Sequence, residues 1–105
     1  MTEKKLIDEQ LKEVSAGAKI GIDRDSLIAT QLLRDAGDKA WALLGNEVGG
    51  LWYYINRAEK ATLTIIRKVN IEKALNSLES FKNSLSENDY LYIKMRLTES
   101  DKLTK

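Results

Sequence analysis

The amino-acid sequence predicts an all-α fold, a small bundle of four or five helices forming a single helical domain over residues 1–105. Three observations carry that prediction. Apolar residues recur at spacings of three and four along most of the chain, the period of a helix with one buried face. Neither glycine nor proline occurs after Gly50, which favours long helices joined by short polar turns. Asp, Ser, Thr or Asn stands ahead of several periodic runs, where a side-chain oxygen can accept from the unpaired amides of a first helical turn. Two domains cut from 105 residues would each be too small to bury a stabilising core, so one cooperative unit is expected.

The first element is a short amphipathic helix over 3–16. Leu6, Leu11 and Val14 form its stripe, Ile7 lies beside them and Thr2 is the cap. Gly17 and Gly21 end it, and 19–25 reads as a connector with a brief extended piece at Ile20 and Ile22. A second helix covers 26–44 through Ala29, Leu33, Ala36, Ala40 and Leu43 or Leu44, with Asp25 or Ser26 as cap and a break offered at Gly37. Gly45, Gly49 and Gly50 make 45–50 a glycine-rich linker. From Leu51 to Val69 one stripe runs through Ile55, Ala58, Thr62 and Ile65, leaving Arg57, Lys60, Thr64, Arg67 and Lys68 on a solvated side. The most regular run is 71–85, with Ile71, Ala74, Leu78, Phe81 and Leu85 in phase, Leu75 alongside and Asn70 as cap. Ser86-Glu87-Asn88-Asp89 resembles a capping box that opens a last helix through Leu97, and the tail 99–105 is expected to fray.

An α+β alternative places strands near 51–56, 62–68 and 90–97. Leu91, Ile93, Met95 and Leu97 alternate with polar or aromatic neighbours at period two, and Thr62 to Ile66 is rich in β-branched residues. A lone strand leaves its backbone unpaired, so this reading needs a hairpin of 51–56 with 62–67 or pairing within a dimer. Ala58-Glu59-Lys60-Ala61 at the supposed turn is a strongly helix-forming tetrad, which favours the bundle.

Composition narrows the function classes. Hydrophobic residues make up 43% and charged residues 31%, as in ordinary globular chains rather than disordered ones. Seventeen basic against sixteen acidic residues leave a net charge of +1, so no global field draws in nucleic acid or anionic lipid. Without cysteine there is no disulfide framework or thiolate metal site, and a cytoplasmic location is the expectation. The longest apolar runs, such as 51–55, fall far short of the roughly 20 residues that span a bilayer. Asp8, Glu9, Lys12 and Glu13 stand where a secretory signal would be apolar.

Catalysis is not expected. The chain lacks histidine and cysteine, which removes the commonest general base, an activated thiol nucleophile and the usual zinc ligands. Asp23 and Asp25 begin like a calcium loop, but Ile28 stands at the glycine position and Arg34 at the terminal glutamate position. Asp35 and Asp38, one turn apart, read as solvated residues around Gly37 rather than a cation site. No Gly-Lys-Ser/Thr follows the glycines at 45, 49 and 50, so no phosphate loop is expected either. No catalytic residue, metal ligand or cofactor site is assigned.

The candidate interaction patch is Trp52, Tyr53, Arg57 and Lys60, with Tyr54, Arg67, Lys68 and Lys73 nearby. Aromatic rings beside cations dock protein surfaces, and they also stack on bases and hold phosphates. A purely structural reading puts Tyr54 and either tryptophan in the core, with the cations paired to Glu59, Glu72 and Glu79. No helix-turn-helix pattern accompanies the patch, so nucleic acid is disfavoured. A protein partner or a second copy of the chain is the expected occupant.

Leu6, Leu11, Val14 and the pair Ala16-Gly17 have the spacing found in leader peptides of the double-glycine type, which the first 17 residues resemble. The resemblance implies processing after Gly17, a mature product beginning at Ala18 and export by a peptidase-containing transporter, giving a bacteriocin-like peptide. It covers about a sixth of the chain, has alanine in place of the first glycine, and precedes a long, highly charged remainder. An amphipathic helix ending at Ala-Gly explains the same residues without export. In length and helical pattern the chain is also similar to the small bacteriocin-immunity proteins, four-helix bundles without cofactors. The leading expectation is a non-enzymatic interaction or regulatory domain of bacterial or phage origin. The exported peptide and a nucleic-acid-associated regulator are its alternatives.

Overall fold

A computed structural model describes residues 18–104; the expected helix over 3–16 and the cleavage point after Gly17 fall outside the described residues. Four α-helices account for most of those residues: α1 (Arg24–Leu44), α2 (Gly49–Lys60), α3 (Thr64–Glu79) and α4 (Glu87–Leu103). They run up and down in ring order. α1 packs between α2 and α4, and α3 packs against α2 and more sparsely against α4. Among the described residues there is no strand, and no helix is long and apolar enough to cross a membrane.

α1 begins two residues earlier than its pattern suggests. Asp23, not Asp25 or Ser26, is the cap, accepting from the Ser26 amide at 3.3 Å and the Ser26 hydroxyl at 2.9 Å. The helix passes through Gly37 unbroken because that residue lies against α2: a Cβ there would sit 3.1 Å from Ile55 Cγ2 and 3.8 Å from Trp52 Cδ1. Gly37 therefore serves close helix packing, not termination. The expected linker at 45–50 contracts to a 3-10 turn over Gly45–Glu47 and a buried Val48, while Gly49 and Gly50 already belong to α2. Gly45 (φ 54°) and Gly49 (φ 50°) take left-handed conformations in open space, so it is backbone freedom that selects glycine at both.

The expected stripe over 51–69 is cut in two. Ala61 (ψ 143°) and Leu63 (ψ 140°) are extended, and residues 18–20 run alongside them. Ile20 N–H donates to Thr62 O at 2.9 Å, Thr64 N–H donates to Ala18 O at 2.8 Å, and Lys19 pairs with Leu63 in a single antiparallel bridge. The extended piece at Ile20 thus forms one bridge, and of the β-type run 62–66 only Thr62, Leu63 and the Thr64 amide take part, the rest being the first turn of α3. The break resets the helical phase. In α3 the buried face is Thr64, Arg67, Asn70, Ile71, Ala74 and Leu78, whereas Ile65 and Val69, extrapolated as buried, are exposed.

α3 stops at Glu79 instead of continuing to 85, and Asn70 is a buried mid-helix residue donating to Ile66 O at 2.8 Å, not a cap. Phe81 and Leu85 still pack against the core, but from the turns that follow the helix. Ser86 caps α4 as expected, accepting from the Asp89 amide at 3.1 Å. The period-two alternation of 90–97 belongs to a helix whose inner face is Tyr90, Ile93, Leu97 and Ser100, leaving Met95 65% exposed. The tail does not fray at Thr98: α4 runs to Leu103, Ser100 Oγ donates to the buried Ala29 carbonyl at 3.0 Å, and Thr104 is buried.

The core joins Leu33, Ala36 and Ala40 of α1, Leu51, Ile55 and Ala58 of α2, Ile71, Ala74 and Leu78 of α3, and Tyr90, Ile93 and Leu97 of α4. Leu and Ile side chains from all four helices fill the centre, with alanines of α1, α2 and α3 between them, and Gly37 marks the close approach of α1 to α2.

Candidate functional site

Adjacent positions on a helix point about 100° apart, so the consecutive aromatics of α2 must separate. Tyr53, Arg57 and Lys60 fall at successive turns on the outward side, and all three are exposed, Tyr53 to 51%. Arg57 places its guanidinium carbon 5.6 Å from the Tyr53 ring centre, and Tyr54 meets Tyr53 edge to face at 5.3 Å. These contacts hold the Tyr53 ring in place on the surface, which lowers the entropy lost when a partner covers it.

Trp52 parts from the rest of the expected patch. It faces α1, packs against the core, and sets its ring 5.6 Å from Trp41 at an interplanar angle of 58°. Trp41 lies one turn beyond Gly37 and is 50% exposed. A shallow depression of about 450 Å³ opens here, lined by Asp38, Trp41, Ala42 and Trp52. Trp41 is a candidate site residue that the sequence did not single out. Its signal was available: position 41 borders the Leu33-Ala36-Ala40 stripe on the side that also carries Gly37.

The charged neighbours are only partly as expected. Glu59 pairs with Arg34 of α1 at 3.0 Å, not with Arg57 or Lys60. Lys68 is tied to α4 through the Asp101 carbonyl at 3.0 Å and carboxylate at 3.2 Å. Lys73 lies over Tyr54, and Glu79 accepts from the Tyr90 hydroxyl. Arg67, expected on a solvated face, is 2% exposed. Its Nε donates to Ala58 O at 2.9 Å, and its Nη2 to Glu59 O at 3.1 Å and Thr30 Oγ1 at 2.8 Å. It thus caps the carbonyl end of α2 from inside and ties α3 to α1. Burial pulls its pKa below the ordinary arginine value, opposed by the negative charge of Glu59.

Among the described residues no group of three or more carboxylates converges to hold a metal ion. Asp35 accepts from Gln31 Nε2 at 2.9 Å, and Asp38 turns instead toward the tryptophan depression. The arrangement offers rigid aromatic surface and fixed charge, the means of recognition. No protein-family model matches the chain, and comparisons with curated proteins and with solved structures find no match.

Proposed function

We propose that this chain is a non-enzymatic interaction domain that docks a protein partner, or a second copy of itself, on the α1–α2 side of the bundle. The observation that supports the reading best is the exposure of Trp41 and Tyr53, at 50% and 51%, beside a core that closes without them. Large rings left in water at fixed positions are costly for a monomer and are the anchors around which interfaces form. Tyr53, Arg57 and Lys60 supply the outward row of that surface, and Trp52 its junction with α1.

The test is a photocrosslinking phenylalanine in place of Tyr53, irradiated in the native host. A discrete covalent adduct that disappears when Arg57 is changed to Glu supports the reading, and an adduct of doubled mass identifies the partner as a second copy. No adduct, together with a monomeric mass by sedimentation, overturns it.

A further inference from the structure

Every tyrosine ring of this protein already has a cation over it. Arg57 covers Tyr53 at 5.6 Å and Lys73 covers Tyr54 at 5.6 Å, Lys82 and Lys94 flank Tyr90 at 5.6 and 5.5 Å, and Lys39 and Arg96 flank Tyr92 at 5.1 and 3.5 Å. The two tryptophans are the rings best suited to a cation, yet among the described residues neither has one. Beside them stands Asp38. No hydrogen bond or ion pair joins its carboxylate to any described residue: Arg34, one turn away on the same helix, is committed to Glu59 at 3.0 Å, and its neighbour Lys39 lies 3.5 Å from Asp89. One depression therefore presents two indoles and a carboxylate that is unpaired among the described residues.

We propose that Asp38, Trp41 and Trp52 form a receptor for the guanidinium group of an arginine side chain carried by the partner. A guanidinium is flat, weakly hydrated and able to stack on an indole while donating two parallel hydrogen bonds to a carboxylate. The tilt of 58° between the rings keeps them from covering each other as a stack would, so a planar group can lie on Trp41 with its edge toward Asp38. The shelf is open and holds only two aromatic walls, which suits a side chain delivered on a peptide better than a free ammonium ion, which needs enclosure on several sides. This inference rests on the reading of the chain as a protein-docking domain and names the chemistry that the partner brings.

The chain has two tryptophans, so its two indole N–H signals in a proton–nitrogen correlation spectrum report on the shelf directly. The full chain is titrated with a capped Gly-Arg-Gly peptide and with its citrulline counterpart, which replaces the guanidinium by a neutral urea of the same shape. The arginine peptide is expected to move both signals saturably and to bind about five-fold more tightly than the citrulline peptide, the size of an exposed cation–aromatic contact plus one ion pair. Asp38→Asn, on an exposed helical surface, is expected to remove that preference while leaving the far-ultraviolet circular dichroism unchanged. Equal responses to the two peptides, or an Asp38→Asn protein that still prefers arginine, overturn the proposal. A Gly-Lys-Gly peptide that binds as tightly as the arginine peptide also overturns it. Failure of the shelf leaves the Tyr53 crosslinking result intact, whereas failure of that crosslink with a positive arginine titration removes only the outward row of α2 from the interface.

Discussion

Changing Arg67 to Met is the sharpest perturbation of this fold. Methionine keeps most of the buried stem but deletes the guanidinium, and with it the bonds at 2.9 and 3.1 Å to the carbonyls of Ala58 and Glu59 and at 2.8 Å to Thr30 Oγ1. The Ala58 carbonyl keeps the Ala61 amide at 3.3 Å, so one main-chain acceptor, Glu59 O, loses a contact that nothing else among the described residues replaces. Stranding this part-buried acceptor costs about 1–2 kcal/mol, and removing a cation from the carbonyl end of a helix about 0.5–2 kcal/mol more. Against this, the charged group no longer has to be desolvated, which returns part of the loss. The net expectation is a destabilisation of about 1–3 kcal/mol. Arg67→Lys keeps the charge but cannot reach α1 and α2 together, and is expected to lose about half as much. Urea unfolding followed by tryptophan fluorescence gives both values, with Thr30→Val completing a double-mutant cycle. If Arg67→Met is as stable as the parent to within about 0.5 kcal/mol, the guanidinium is not capping α2, and the account of the break at 61–63 fails with it.

Gly37→Ala is expected to stay within about 1 kcal/mol of the parent, because helix propensity offsets a Cβ placed 3.1 Å from Ile55, while Gly37→Leu should cost about 2–3 kcal/mol in thermal unfolding. Ser100→Val removes the 3.0 Å bond to Ala29 O and should cost about 1–2 kcal/mol; amide exchange over 98–103 in the parent protein should be slow, and fast exchange there would contradict a helix docked to its end. The Ser26 hydroxyl and amide hold the Asp23 carboxyl below its ordinary pKa. Because the folded-state value is the lower one, its contribution to α1 is complete above the ordinary carboxylate range and fades as pH falls through the lowered value. Carbon-detected titration should show this, with Ser26→Ala moving the Asp23 midpoint upward.

The helical class, the core of α1 and the start of α4 were legible because each rests on local chemistry: three-and-four spacing through Ala29, Leu33, Ala36 and Ala40, and a serine cap at 86. The break at 61–63 was not, since neither glycine nor proline marks it. It is imposed by residues 18–20, more than forty positions earlier, and by Arg67 reaching back to α2. Once that break was missed, the first turns of α3 were read on the wrong side, which is why Arg67 seemed solvated and Val69 buried, while Ile71, Ala74 and Leu78 were read correctly. Tyr53, Arg57 and Lys60 were picked out with Trp52 for their chemistry, and helical spacing puts those three on the outward side. The pairing of Trp52 with Trp41 did not follow, because it depends on the distance between two helices, set by a glycine that a one-dimensional pattern reads as punctuation.

The bridge between Lys19 and Leu63 also gives the bundle a polarity. Residues 18–21 share a pocket with Leu103 and Thr104, so the first and last described turns of chain emerge together at one pole. Trp41 lies seventeen residues along α1 from Arg24, about 25 Å away toward the other pole at 1.5 Å per residue. A linker, fluorophore or solid support joined after Thr104 would therefore hold the molecule by one end and present the tryptophan shelf at the other. Such an attachment would keep the shelf about 25 Å from the anchored end, clear of whatever surface holds it.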